Sequence, residues 1–171
     1  MMRSFGGGQP QTCSATVNAD GHPITNADVV QGAEGIGLLA GDHVQARFSF
    51  ADGIAGYFAS KRGAAGNPTR FGVRVYGSKG IVEMHSGYLN PAYILRDSSW
   101  SPGRTGSRWE SIASAGIGEP EIRDDSSYEG GHIAAIKDLI DSIENERSTK
   151  CSYEDCRGIV EMTAAIFESH R

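Results

Sequence analysis

The sequence of 171 residues has no long hydrophobic run. A membrane-spanning helix needs about 18 or more consecutive apolar residues, and no segment reaches that length. The opening Met1-Met2-Arg3-Ser4-Phe5-Gly6-Gly7-Gly8 has no apolar run resembling a signal peptide either. A soluble, cytoplasmic chain that does not engage a membrane is the expectation. An excess of positive charge is also missing. Lys and Arg number 16 against 21 Asp and Glu, giving a formal net charge of -5 and leaving no basic field to hold a phosphate backbone. Nucleic acid is not an expected partner. Cysteine is sparse: Cys13, Cys151 and Cys156 are an odd number and far from the density of a disulfide-stapled secreted fold. Four residues separate Cys151 from Cys156, wider than a usual zinc-knuckle pair, and no second Cys/His pair is placed to complete a metal site. Plain buried thiols in a reducing compartment are expected.

Motifs that carry chemistry are equally scarce. No G-x-S-x-G elbow exists, and Ser78 falls in a short turn with no base positioned beside it. His22, His43, His85, His132 and His170 show neither H-E-x-x-H nor another paired spacing suited to zinc. An independent hydrolase therefore has little support. Gly35-Ile36-Gly37-Leu38-Leu39-Ala40 does fit the text of a dinucleotide fingerprint. That fingerprint works only when it opens a helix aimed at the pyrophosphate, whereas Gly41-Asp42 here leads within two residues into a strand pattern. A surface loop before a strand is the reading of this segment.

What is present is ordinary globular material, 39% hydrophobic and 22% charged. The length suits one domain over 1–171, with strands and hairpins over 12–84, a long loop excursion off the sheet over 86–125, and two closing helices over 128–171. Cys13, Ala15 and Val17 alternate with Thr12, Ser14 and Thr16, the period of a strand with one buried face. Val44, Ala46, Phe48 and Phe50 alternate with His43, Gln45, Arg47 and Ser49. Asp52-Gly53, a pair suited to two successive positive φ angles, then turns the chain into Ile54 to Ser60. A second hairpin runs from Phe71 through Gly77-Ser78-Lys79-Gly80 to Met84. The excursion carries strand-like pieces at 92–95 and 109–113, and Trp100 and Trp109 either pin it to the body or line a binding surface.

Toward the end the period changes to that of helices. Ile133, Ile136, Leu139, Ile140 and Ile143 make one apolar stripe. After a break over 145–150, Ser152-Tyr153-Glu154-Asp155 has the Ser-x-x-acid form of a capping box, and Cys156, Ile159, Val160, Thr163, Ile166 and Phe167 make a second stripe. These helices need a sheet, or another body, to cover them. The fold expected is α+β: an open-faced, mostly antiparallel β-sheet with helices on one face. Gln45, Arg47, Arg70 and Arg74, with Lys61 and Arg62, are assigned to the uncovered side. Tyr57, Phe58 and Tyr76 add the aromatic area that suits an interface between copies of the chain.

Val44 to Ser60, the run Phe71-Gly72-Val73-Arg74-Val75-Tyr76-Gly77-Ser78-Lys79-Gly80, and the helical tail through Phe167-Glu168-Ser169-His170-Arg171 together resemble the carboxy-terminal domain of Gfo/Idh/MocA oxidoreductases. The resemblance implies NAD(P)-dependent oxidation or reduction of a sugar or cyclitol hydroxyl in the full-length family enzyme. In that family a Rossmann domain holds the cofactor and a Glu-Lys-Pro lysine. An Asp and a His four residues apart lie on an early helix of the second domain. Here none of Lys61, Lys79, Lys137 and Lys150 precedes proline and no Asp-x-x-x-His occurs, so no catalytic residue carries over. The expectation is a substrate and oligomerisation domain that binds no cofactor and has no activity alone, and that works with a Rossmann half or partner subunit. Lys61, Arg62, Trp100, Arg104 and His132 are the residues expected to wall a pocket for a sugar-like molecule. The alternative is a noncatalytic module that binds or oligomerises through its sheet.

Overall fold

The computed structural model describes residues 1–63, 71–85, 89, 91–99, 104–123 and 128–170. The chain divides into two compact units, Met1–Ala65 with Cys151–Arg171, and Gly66–Lys150. Its helices are α1 (Met2–Gly6), α2 (Tyr128–Glu144) and α3 (Tyr153–His170). The described strands are β1 (Thr12–Ala19), β2 (His22–Pro23), β3 (Val30–Gln31), β4 (Leu38–Leu39), β5 (His43–Ser49), β6 (Ala55–Lys61), β7 (Gly72–Gly77), β8 (Gly80–His85), β9 (Ala92–Leu95), β10 (Trp109–Ala113) and β11 (Gly116–Ile117). All of their pairings are antiparallel.

In the first unit the strands run in the order β2-β1-β5-β6. The β1 alternation holds: Val17 is fully buried, Cys13 and Ala15 are half-buried, and Ser14 and Thr16 are exposed. Opposite them, Ala46, Phe48 and Phe50 are buried and join Val17 and Ile166 in one core. The Asp52-Gly53 turn forms as its chemistry requires. Asp52 has φ 56 and ψ 23, Gly53 has φ 74, and the Ile54 N–H donates to the Ala51 carbonyl at 3.2 Å. α1, which no sequence signal announced, sets Gly6 against the Phe50 ring. A Cβ on Gly6 would stand 2.5 Å from a ring carbon, so only glycine permits that approach.

α3 packs on β1, starting where its capping box placed it. The Ser152 N–H donates to Asp155 Oδ2 at 3.0 Å and the Asp155 N–H donates to Ser152 Oγ at 3.2 Å. The buried side of α3 differs from the expected stripe. Gly158, Met162, Ala165 and Ile166 face inward, while Ile159, Val160 and Phe167 are exposed, Val160 to 67%. The reason is steric. A Cβ on Gly158 would lie 2.2 Å from Gln9 Nε2 and 2.6 Å from Arg3 Cζ, so the helix presents small residues where the amino-terminal segment crosses it. At its far end α3 caps the outer rim of β1: the N–H groups of Ala15 and Val17 donate to Ser169 Oγ at 3.0 Å and His170 Nδ1 at 3.2 Å.

The second unit holds a five-stranded sheet ordered β11-β10-β9-β8-β7. The β7–β8 hairpin is as expected, with Val73 opposite Met84 and Val75 opposite Val82. The pieces at 92–95 and 109–113 are strands, but they do not lie off the sheet. β9 pairs with β8 through Ile81↔Leu95 and Val82↔Ile94, and β10 continues it through Trp109↔Leu95. Their four or five residues carried too little alternation to show the pairing in sequence. α2 spans the first apolar stripe as expected, yet the stripe is uncovered: Ile133, Ile136, Leu139, Ile140 and Ile143 are all exposed, Ile143 to 70%. After α2, Arg147 closes the end of the helix. It donates through Nη2 to Asp138 Oδ1 at 2.8 Å and pairs with Asp141.

Among the described residues no helix is long and apolar enough to cross a membrane.

Candidate functional site

Register decides which side chains share the uncovered face of the first sheet. Arg47 lies between Ser14 and Tyr57, Gln45 between Thr16 and Ala59, and His43 between Asn18 and Lys61. The face therefore presents Arg47, Lys61 and His43 with hydroxyl and amide groups. Thr12–Ala19, His43–Ser49 and Ala55–Lys61 contain no Asp or Glu at all. In a chain of net charge -5 this is a local reversal of sign. The centre of the face is a shallow trough of about 410 Å³ lined by Ser14, Thr16, Gln45, Arg47, Tyr57 and Ala59. Gln45 Nε2 donates to His43 Nε2 at 3.3 Å, fixing the amide beside the imidazole. Tyr57 is 74% exposed and stands over the trough. An open polar trough with one exposed aromatic is suited to a flat, acidic or hydroxyl-rich surface more than to a deeply enclosed ligand.

Phe58 borders the trough but has the opposite strand parity to Tyr57. It lies opposite Ala46, on the core side, because neighbouring strand residues point to opposite faces. Arg74 and Tyr76 belong to the sheet of the second unit, and Arg70 lies outside the described residues. The single surface expected from the sequence is thus divided.

The pocket residues are likewise distributed. Lys61 ends β6 and Arg62 follows it, its N–H donating to the Asp42 carbonyl at 2.7 Å; both side chains are exposed. Arg104 is an exposed loop residue of the second unit, and His132 is exposed on α2. Trp100 lies outside the described residues. Lys61 and Arg62 are neighbours in the first unit, and Arg104 and His132 belong to the second.

A second polar cluster was not anticipated. On one face of the β7–β8 hairpin, Glu83 stands opposite Arg74 and accepts a hydrogen bond from its Nε at 2.7 Å. His85 Nε2 lies 3.2 Å from the other carboxylate oxygen. Hydrogen bonds to Tyr76 and Glu83 hold the Arg74 guanidinium above its ordinary pKa. The buried Nδ1 of His85 has no hydrogen-bond partner among the described residues. A carboxylate between a guanidinium and an imidazole orients the ring. The signal was in the sequence: Glu83 and His85 are two apart on a strand, hence on one face, and the hairpin register brings Arg74 across.

The fold that these sheets and helices define is α+β and mostly antiparallel. No family model matches the chain, and no curated protein matches it. Among solved structures it is similar to UDP-N-acetylglucosamine 3-dehydrogenase from Acidithiobacillus ferrooxidans, with TM-score 0.56 and 18% identity over 94% of this chain and 40% of that one. It is also similar to an oxidoreductase domain protein from Kribbella flavida, with TM-score 0.60 and 18% identity over 92% of this chain and 41% of the other. At such identity the likeness establishes fold. The chain spans about two fifths of the length of these oxidoreductases.

Proposed function

We propose that this chain is the substrate and oligomerisation domain of an NAD(P)-dependent sugar or cyclitol oxidoreductase, inactive by itself and completed by a Rossmann-type half or partner subunit. The observation that carries this reading is coverage: nearly the whole chain aligns with two fifths of two oxidoreductase chains. The uncovered stripe on α2 supports it further, because five exposed isoleucine and leucine side chains on one helix face are suited to burial against another body. In this reading the partner half holds the nicotinamide cofactor and moves the proton and hydride. Lys61, Arg62, Trp100, Arg104 and His132 wall the sugar side of the pocket, and the Arg47–Tyr57 face joins copies of the chain.

The test has two arms. Titration of the purified chain with NADH and NADPH, followed by fluorescence, is expected to give no saturable change at micromolar cofactor; saturable binding overturns the division of labour. In the coding DNA upstream of Met1, an in-frame Rossmann segment with Glu-Lys-Pro is expected. A stop codon or unrelated sequence there favours the second reading, a noncatalytic module that assembles through its sheet. That alternative draws support from the first unit, whose core of Val17, Ala46, Phe48, Phe50 and Ile166 is built within the unit itself.

A further inference from the structure

The start of α3 carries two cysteines in a position with its own geometric logic. With Ser152 as the capping residue, Cys151 is the residue before the cap and Cys156 is the fourth residue of the helix. The Cys156 N–H donates to the Ser152 carbonyl at 3.1 Å, the first turn of the ladder. These are the two positions whose side chains meet as a hydrophobic staple across a helix start. Here they do meet: the Sγ atoms of Cys151 and Cys156 lie 3.8 Å apart. Both residues are exposed, contrary to the buried thiols expected from the sequence. An exposed thiol pair in contact gains little from acting as an apolar staple but is well placed for thiol chemistry.

We propose that Cys151 and Cys156 form a redox-sensitive dithiol site that closes to an intramolecular disulfide on exposure to a small-molecule disulfide, converting the staple of α3 from a contact into a covalent clasp. The scaffold that aligns the pair is already rigid. The Ser152–Asp155 capping box holds the intervening turn, and Arg3 from α1 donates to the Asp155 carbonyl at 2.9 Å.

The chemistry balances with a small-molecule disulfide as oxidant. The Cys156 thiolate attacks one sulfur of the small disulfide and expels one thiolate, leaving a mixed disulfide on Cys156. The hydrogen bond with Cys156 and the charge of that neighbour raise the pKa at which Cys151 loses its proton. On losing that proton it attacks the Cys156 sulfur and expels the second small thiolate. Two protein thiols are oxidised, and one small disulfide is reduced to two thiolates that take up the two protons the protein thiols lose. Cys13 provides an internal contrast. It is half-buried beside α3, and burial raises its pKa, so it reacts slowly.

The clasp lies where the chain passes from one compact unit to the other, between Lys150 and Cys151. Oxidation therefore pins the last residue of that crossing to the body of α3.

The experiment treats the full chain with oxidised glutathione, quenches with an alkylating reagent and maps the peptides by mass spectrometry. The expected result is loss of two of the three free thiols, a peptide linking Cys151 to Cys156, no persistent glutathione adduct, and Cys13 alkylated. In the Cys151→Ser variant Cys156 should accumulate as the glutathione mixed disulfide, since its resolving thiol is gone. Cys13→Ser should leave the linkage unchanged. Stable glutathione adducts on both Cys151 and Cys156, a link between two chains in place of the internal one, or preferential reaction of Cys13 would each overturn the proposal.

Discussion

The two compact units build their sheets from similar alternating sequence, yet they bury very different amounts of it. Of the fully buried apolar residues described, Val17, Ala46, Phe48, Phe50 and Ile166 belong to the first unit, and Leu95 belongs to the second. The difference lies in what each helix does. α3 lays Met162 and Ile166 against the core of the first sheet. α2 keeps its entire isoleucine and leucine stripe exposed. A sheet and an amphipathic helix in the same unit are therefore not enough to make a core; the helix must also dock.

This contrast breaks most sharply at Phe48. Its replacement by alanine removes a fully buried ring, and loss of about 3–5 kcal/mol is expected from urea unfolding followed by circular dichroism. A loss below about 1 kcal/mol, more typical of a surface substitution, would mean that the first unit has no real core.

A smaller effect is expected in the second unit at Gly80, which has φ 152 and whose added Cβ would fall 2.1 Å from the Leu95 carbonyl oxygen. Gly80→Ala should cost about 1–3 kcal/mol through the backbone conformation alone, read as faster amide exchange in β8 and β9. Exchange unchanged from the parent would show that the β8–β9 pairing tolerates that approach.

Ile143→Ser should shift the stability of the isolated chain by no more than about 0.5 kcal/mol, because the side chain is 70% exposed. The same substitution should weaken capture of a separately expressed Rossmann half if α2 is the covered surface. A loss of several kcal/mol in the isolated chain would show instead that α2 docks within it.

The smallest effect concerns acid. Glu121 accepts hydrogen bonds from the Ser114 hydroxyl, the Ser114 N–H, and the N–H groups of Arg123 and Ile122, and these lower its pKa from 4.5 to about 2. Since the folded value is depressed, the contribution of this clasp to the β10–β11 hairpin is complete above about pH 4.5 and fades as pH falls toward 2. Carboxyl titration by NMR should find the low value and Ser114→Ala should raise it; an ordinary titration near 4.5 would remove the clasp.

The elements most legible in the sequence were those written in local chemistry. Asp52-Gly53 announced its turn because few other pairs accept two positive φ angles, and Ser152-x-x-Asp155 announced the start of α3 because an exposed helix end needs acceptors for its N–H groups. The buried side of α3 was not legible, since Gly158 and Ala165 carry little hydrophobic signal and the reason for glycine at 158 is the crossing of Arg3 and Gln9 from the other end of the chain. The division of Arg47 from Arg74 was hidden for the same reason: membership of a sheet is set by long-range pairing. The Arg74–Glu83–His85 cluster was legible in principle and needed only the strand parity to be read against the hairpin register.

The seal that Ser169 and His170 place on β1 has a consequence for growth. Free amide groups along a strand margin invite another strand to add, and this margin has two of its donors already engaged by the tail of a helix. Strand addition along this stretch of β1 is thereby blocked, giving the sheet a margin at which it cannot lengthen.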